Sequence, residues 1–304
     1  MIETEALTKR LGGRAVVDDV TFRCEPGTVT GFLGPNGAGK TTTMRMVCDL
    51  LAPDSGTATV LGGRYSALPN PGMRVGVLLD ASAQHAGRRG REVLALAART
   101  MGLEEDRVDG LLARVGLDEL AARKRVRQYS LGMRQRLGIA HALIGDPEVL
   151  ILDEPANGLD PDGMRWMREL LRDFADRGGT VLLSSHLLRE VEAIADRLVI
   201  IGGGKILAEG AREELLAGSG TTVEAPDASA LAAALSAANL AYVETADGAL
   251  VVEAEPDAVG RAALAGGVAL RRLGRSEGAG LERLFLELTA EPAVPATAEA
   301  EEAA

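Results

Sequence analysis

The sequence predicts an α/β fold with a mostly parallel sheet, and three observations carry that prediction. First, apolar strand-like runs alternate with helical patterns from Val29 to Leu207, as in chains built from βαβ units. Second, Gly34-Pro35-Asn36-Gly37-Ala38-Gly39-Lys40-Thr41-Thr42 reads G-x-x-x-x-G-K-[ST] between a buried run at 29–33 and a helical run at 40–51. That strand–loop–helix context is what a phosphate-binding loop requires. Third, Val149-Leu150-Ile151-Leu152 ends in Asp153-Glu154-Pro155. Two carboxylates then emerge at the C-terminal edge of the sheet, where open α/β sheets bind ligands.

The remaining elements follow in order. Residues 1–26 read as short strands, with Val16, Val20 and Phe22 alternating loosely. Asp54-Ser55-Gly56 is a turn before a β-branched strand at 57–61, and Asn70-Pro71-Gly72 a turn before a strand at 75–79. Between about 82 and 146 the pattern turns helical, at 92–101 and 108–115, with Gly102 and Gly116 as stop signals. Ser130 can cap a third helix, with Met133, Leu137, Ala140 and Ile144 on one face. After the acidic pair, a helix at 164–177, a strand at 180–183, a helix at 187–196 and a hairpin about Gly202-Gly203-Gly204 complete the core.

Beyond Gly218-Ser219-Gly220 the chain becomes Ala-rich and acidic. Residues 221–290 are expected to form a small α+β appendage: a helix at 228–240, strands at 241–245 and 250–253 about Asp247-Gly248, and a final helix at 281–288. Residues 291–304, rich in Ala, Pro and Glu, are expected to be a disordered tail.

Composition narrows the function. A net charge of −11 argues against a general nucleic-acid binder. Cys24 and Cys48 are the only cysteines and His occurs three times, so a cysteine-rich metal site is not expected and two isolated thiols suit a reducing cytosol. The acidic start, Met1-Ile2-Glu3-Thr4-Glu5, is not a signal peptide. No apolar run approaches the roughly 18 residues of a membrane span, so any membrane link is expected through a partner.

The motif residues point to nucleotide chemistry. Gly34, Gly37 and Gly39 let the backbone approach a phosphate closely, and successive N–H groups around Pro35, Asn36 and Ala38 form an anion nest. The helix from Lys40 adds its positive dipole end. Lys40 offers an ammonium to the β- and γ-phosphates, and Thr41, followed by Thr42, a hydroxyl to Mg²⁺. Asp153 is expected to help hold that ion through water, and Glu154 to orient and activate the attacking water. Without the phosphate loop, the pair would equally be a solvated acidic turn.

Further motifs give a resemblance. Tyr129-Ser130-Leu131-Gly132-Met133-Arg134-Gln135-Arg136 shortly precedes the Asp153-Glu154 strand, Gly158-Leu159-Asp160-Pro161 follows it, and Leu182-Leu183-Ser184-Ser185-His186 comes next. With the phosphate loop, this order over residues 1–215 resembles the ATP-binding subunit of an ABC transporter. The resemblance implies a P-loop NTPase core with an N-terminal antiparallel β subdomain and a helical subdomain at 82–146, together spanning 1–220. It also implies ATP and Mg²⁺, and a head-to-tail dimer in which Ser130 and Gly132 contact ATP held by the partner's phosphate loop. Asp160 would belong to the D-loop, and His186 would contact the γ-phosphate. Taken singly, Ser130 reads first as an ordinary helix cap and His186 as a satisfied buried histidine.

Four positions depart from the family pattern. Leu131 and Met133 replace a glycine and a glutamine, giving S-L-G-M, which resembles exporters of the drug- and bacteriocin-resistance type. Asp80 stands where a metal-contacting glutamine is usual, and Leu11 where an aromatic ring stacks on adenine. The expectation is an ATPase on the cytoplasmic face of the membrane that powers an exporter through integral membrane permease subunits. Gln84, His85 and Arg88 are expected either to meet that partner or to form a solvated loop. The alternatives are a soluble ABC-type ATPase acting on ribosome or DNA, and a non-hydrolysing regulatory module.

Overall fold

A computed structural model describes residues 1–186, 188–216, 220–245, 248–275, 285 and 288. Strands β1 (Ile2–Leu11), β2 (Arg14–Cys24) and β4 (Ser55–Val60) form an antiparallel sheet in the order β2-β1-β4. The first two are longer than the sequence suggests. The β1–β2 pairing slips between Thr4 and Leu7, and Ala6 and Asp19 adopt positive φ. Such irregularities break the period-two pattern that would mark long strands.

The main sheet runs β5-β6-β7-β3-β8-β9. Its members are β3 (Val29–Leu33), β5 (Val75–Leu78), β6 (Val149–Asp153), β7 (Thr180–Ser185), β8 (Arg197–Gly202) and β9 (Lys205–Ala211). All neighbours pair in parallel except the β8–β9 hairpin. Every residue of β3, β6 and β7 is buried, because a sheet covered on both faces reads as continuous apolar runs. Register aligns Asp153 with Ser184 and Leu33 with Ser185, which brings the ends of three strands to one edge.

Helix α1 (Lys40–Val47) packs Met44 and Met46 between this sheet and the antiparallel one. The helical region holds α2 (Gly90–Met101), α3 (Arg107–Arg114), α4 (Glu119–Arg123) and α5 (Leu131–Leu143). Met133, Leu137, Ala140 and Ile144 share its core, as expected. Gly102 ends α2 in the left-handed region. The short α4, capped by Asp118, carries too few turns to show a period. Helix α6 (Pro161–Asp176) starts earlier than its apolar pattern because Asp160 caps it ahead of Pro161. Helix α7 (Leu188–Glu192) is shorter than expected.

After α8 (Arg212–Leu216) come β10 (Thr221–Glu224), α9 (Ala228–Ala237), β11 (Tyr242–Glu244), β12 (Leu250–Val252), α10 (Pro256–Ala265) and β13 (Arg272–Arg275). The order β11-β12-β10-β13, antiparallel throughout, is the split βαββαβ arrangement. It has its own core of Val223, Leu231, Leu235, Leu250, Val252 and Val259. Residue patterns predict α9, β11 and β12 but not β10, α10 or β13. The tail at 291–304 lies outside the described residues. So does the expected helix at 281–288, apart from Phe285 and Leu288, which are helical and pack against Leu33, Val191, Ala195, Leu198 and Ile200 of the main core.

Candidate active site

Strand β3 delivers the chain into the loop at 34–39, whose tip, Pro35-Asn36-Gly37, is exposed. Gly39, at φ +108, caps α1. A Cβ there would sit 2.5 Å from the Val16 carbonyl oxygen, so β2 closes one side of the loop. Gly204 donates to the Ala38 carbonyl at 3.2 Å and accepts from the Asp18 N–H at 2.8 Å. The Gly202-Gly203-Gly204 turn therefore braces the phosphate loop as well as joining two strands.

The Lys40 side chain is 6% exposed. Its ammonium donates to the carbonyls of Gly34 at 2.7 Å and Pro35 at 3.3 Å, and lies 3.8 Å from Glu154 Oε1. Thr41 Oγ1 donates to Asp153 Oδ2 at 2.5 Å, and the Ser184 hydroxyl donates to the other carboxylate oxygen. Asp153 is 8% exposed and has hydroxyl partners but no cationic one among the described residues. A nearly buried carboxylate without a counter-charge fits a cation. Mg²⁺ suits this set, because it takes one or two carboxylates and keeps its other positions for water and substrate phosphates. No cluster of three or more His, Cys, Asp or Glu able to hold an ion occurs among the described residues.

Glu154 turns the chain out of β6 at φ +50, a conformation uncommon for a non-glycine residue. Its N–H donates to Ser184, both to the carbonyl at 3.2 Å and to Oγ at 3.0 Å. Its carboxylate stands 2.7 Å from His186 Nδ1 and accepts from the His186 N–H at 3.3 Å. Its carbonyl accepts from Gln135 Nε2 at 3.2 Å. Lys40, Thr41, Asp153, Glu154 and His186 thus meet at one edge of the sheet. Ser184 and Gln135 join them unforeseen. Ser184 left one signal, a hydroxyl closing an apolar run, and Gln135 stood inside the motif at 129–136 with nothing in its spacing to mark its role.

The other expected positions sit elsewhere in the chain. Ser130 Oγ accepts from the Met133 N–H at 3.2 Å and caps α5. Asp160 Oδ1 accepts from the Gly163 N–H at 2.8 Å and caps α6. The two caps are neighbours, since a Cβ on Gly132 would lie 2.7 Å from the Gly158 carbonyl oxygen. Asp80, expected among the metal contacts, is occupied otherwise. Its carboxylate accepts from the Ser82 hydroxyl at 2.6 Å and the Ser82 N–H at 2.7 Å. Those bonds hold its pKa below the usual carboxylate value. Leu11 is 49% exposed, paired with Arg14 across the β1–β2 turn.

Residues 17–157 match the ABC transporter family. The bacitracin transport ATP-binding protein BcrA of Bacillus licheniformis is 42% identical over 212 residues, 69% of each chain. The chain belongs to the ABC transporter ATP-binding protein family. The daunorubicin resistance ATP-binding protein DrrA3 of Streptomyces coeruleorubidus is 40% identical over 228 residues, 72% of this chain and 71% of that one. A solved ATP-binding subunit of an ABC transporter superposes with a TM-score of 0.62 at 29% identity, covering 71% of this chain and 91% of that one. As an ABC ATP-binding subunit, the chain is an ATPase coupled to transport. Among the described residues no helix is long and apolar enough to cross a membrane.

Proposed function

We propose that this ABC subunit hydrolyses ATP with Glu154 as the base, and that two copies, closing head to tail over two ATP molecules, drive a membrane exporter of drug- or peptide-antibiotic-like substrates. The observation that carries the catalytic assignment is the Glu154 carboxylate, set between His186 Nδ1 at 2.7 Å and Lys40 Nζ at 3.8 Å. Lys40 leaves the Gly34 and Pro35 carbonyls for the β- and γ-phosphates, which the exposed loop N–H groups also grip. Thr41 and Asp153 would hold Mg²⁺, which would supply positive charge against the phosphates. Glu154 accepts a proton from water as the water oxygen bonds to the γ-phosphorus. The bond to the bridging oxygen breaks, and ADP leaves with the electron pair. His186 keeps the Glu154 carboxylate aimed and meets the γ-phosphate.

Ser130 and Gly132, at the exposed start of α5, serve the second copy's ATP, and Asp160 lies beside them. The exporter reading is supported by the S-L-G-M signature and by relatives named for bacitracin transport and daunorubicin resistance. Permease subunits place the ATPase at the cytoplasmic face of the membrane. Residues 82–146 suit that contact. Segments 86–88 and 125–127 are joined by main-chain bonds from Val126 N–H to Arg88 O and from Arg127 N–H to Ala86 O. Together with their neighbours they expose Arg88, Arg89, Lys124, Arg125 and Arg127, none of whose side chains has a carboxylate partner among the described residues.

Glu154→Gln tests the base. It keeps shape and hydrogen bonding, so ATP still binds, while turnover falls by roughly two to four orders of magnitude. Phosphate release near the wild-type rate would remove Glu154 from the mechanism. For the sandwich, crosslinks from a cysteine at Ser130 of one copy to a cysteine at Gly37 of another should form with ATP only. Links within single chains, or links without ATP, would count against it.

A further inference from the structure

We infer that Gln135 is a positioning residue that ties the alignment of Glu154 to the seating of the Ser130 helix, so that occupation of one ATP site is felt by the base of the other. The inference rests on Glu154 being the base. Gln135 lies only five residues after the exposed Ser130, yet it is 5% exposed. Its Nε2 donates to the Glu154 carbonyl at 3.2 Å, across 19 positions of sequence. A carbonyl only accepts, so the amide nitrogen must face it. The buried Oε1 has no hydrogen-bond partner among the described residues. Burial of this amide is thus compensated at one end only, by the main chain of Glu154.

What that bond holds is an unusual conformation. Glu154 sits at φ +50, and each of its polar groups is taken: the N–H by Ser184, the carboxylate by His186, the carbonyl by Gln135. Ser184 lies in β7 and His186 follows that strand's last residue, Ser185, so both are held by the strand that pairs with β6, from which Glu154 emerges. Gln135 reaches in from the second turn of α5, whose N-terminus is capped by Ser130. A tilt or shift of α5 when Ser130 engages the second copy's ATP therefore moves the Glu154 peptide, while leaving the phosphate loop's own contacts in place. The residue acts on the chemical step and not on nucleotide affinity.

The test uses the full chain. Gln135→Met keeps length and approximate volume but removes the donor. Its kcat should fall roughly ten- to hundredfold, the size of effect that a small misplacement near reacting atoms produces, with the KM for ATP and the thermal midpoint unchanged. In a Glu154→Gln background the same change should leave residual turnover untouched, since residues acting as a unit are non-additive. An unchanged kcat, or a loss that multiplies with Glu154→Gln, overturns the inference. If Gln135→Met lowers the midpoint, Gln135→Glu decides. A buried carboxyl there donates only when protonated, and burial raises its pKa. Its turnover relative to wild type should then recover as pH falls from about 8 to about 6, whereas a flat ratio overturns the inference. A Glu154→Gln protein that turns over normally sinks the base assignment itself, whatever Gln135 does.

Discussion

At the scale of single residues, Leu11 makes the sharpest prediction. It is exposed on the hairpin turn and offers the adenine no π-face. Base–aromatic stacking contributes roughly 1–3 kcal/mol. Leu11→Tyr should therefore tighten ATP binding about tenfold, taking roughly 1.4 kcal/mol per factor of ten, and sharpen discrimination against GTP. Titrating both nucleotides against both proteins checks it; a wild type already selective for ATP, with no gain in the variant, would show another group in the ring's place. The chemistry-bearing residues were legible because their type and spacing encode the site directly: a lysine closing a glycine loop, and two carboxylates closing an apolar run. Ser184 and Gln135 act through contacts between elements far apart in sequence, and no local pattern announces such contacts. Gly132 shows the converse. It reads as a pure contact to the partner's ATP, yet its missing Cβ is also needed against Gly158 of its own chain. A bulky substitution there would disturb two things at once.

At the scale of elements, the helical region is joined to the main sheet by a close approach of α5 to β5. A Cβ on Gly76 would lie 2.1 Å from the Ala142 carbonyl oxygen and 2.7 Å from Leu150 Cδ2. Backbone cannot swing aside, so Gly76→Ala should force the two elements apart and cost about 1–3 kcal/mol, the usual range for overpacking. Gly138 faces the same seam from the helix, but its added Cβ would meet the movable Leu78 Cδ1 at 2.6 Å. Gly138→Ala also gains helix propensity of roughly 1 kcal/mol, so it should be nearly neutral. Urea midpoints of the two variants check the contrast, and equal losses would refute it. Buried parallel strands and amphipathic helices were readable because burial imposes their patterns. Strand β10 and strand β13 were not, since β10 directly follows the Gly218-Ser219-Gly220 break, no turn signal joins either to a neighbouring strand, and β13 reads Arg-Leu-Gly-Arg. Helix α10 was hidden in an Ala-rich segment where apolar and neutral positions blur.

At the scale of the whole molecule, charge is unevenly spread. A chain of net charge −11 keeps a basic rim on its helical region, on the side proposed to meet the permease. Such a rim steers encounter with an acidic partner more than it strengthens the finished complex. The two thiols have no such outward role. Cys24 and Cys48 are free and buried, and burial pushes each up to about 12, so neither is a reactive thiolate near neutral pH.

The packing of Phe285 and Leu288 on the main core has a practical consequence for anyone cutting the chain. The appendage is an excursion: the polypeptide leaves the core after α8 and touches it again at Leu33, Val191 and Leu198. Stopping translation at residue 220 would therefore do more than delete a module. It would strip a greasy seal from the helix that follows His186, and the shortened protein should lose solubility and thermal midpoint. Joining residue 216 to residue 281 through a short flexible linker should retain both. Melting curves of the two deletions, set beside their ATP turnover, would separate what the appendage does from what its return strand of chain merely covers, and equal midpoints would mean that the seal is dispensable.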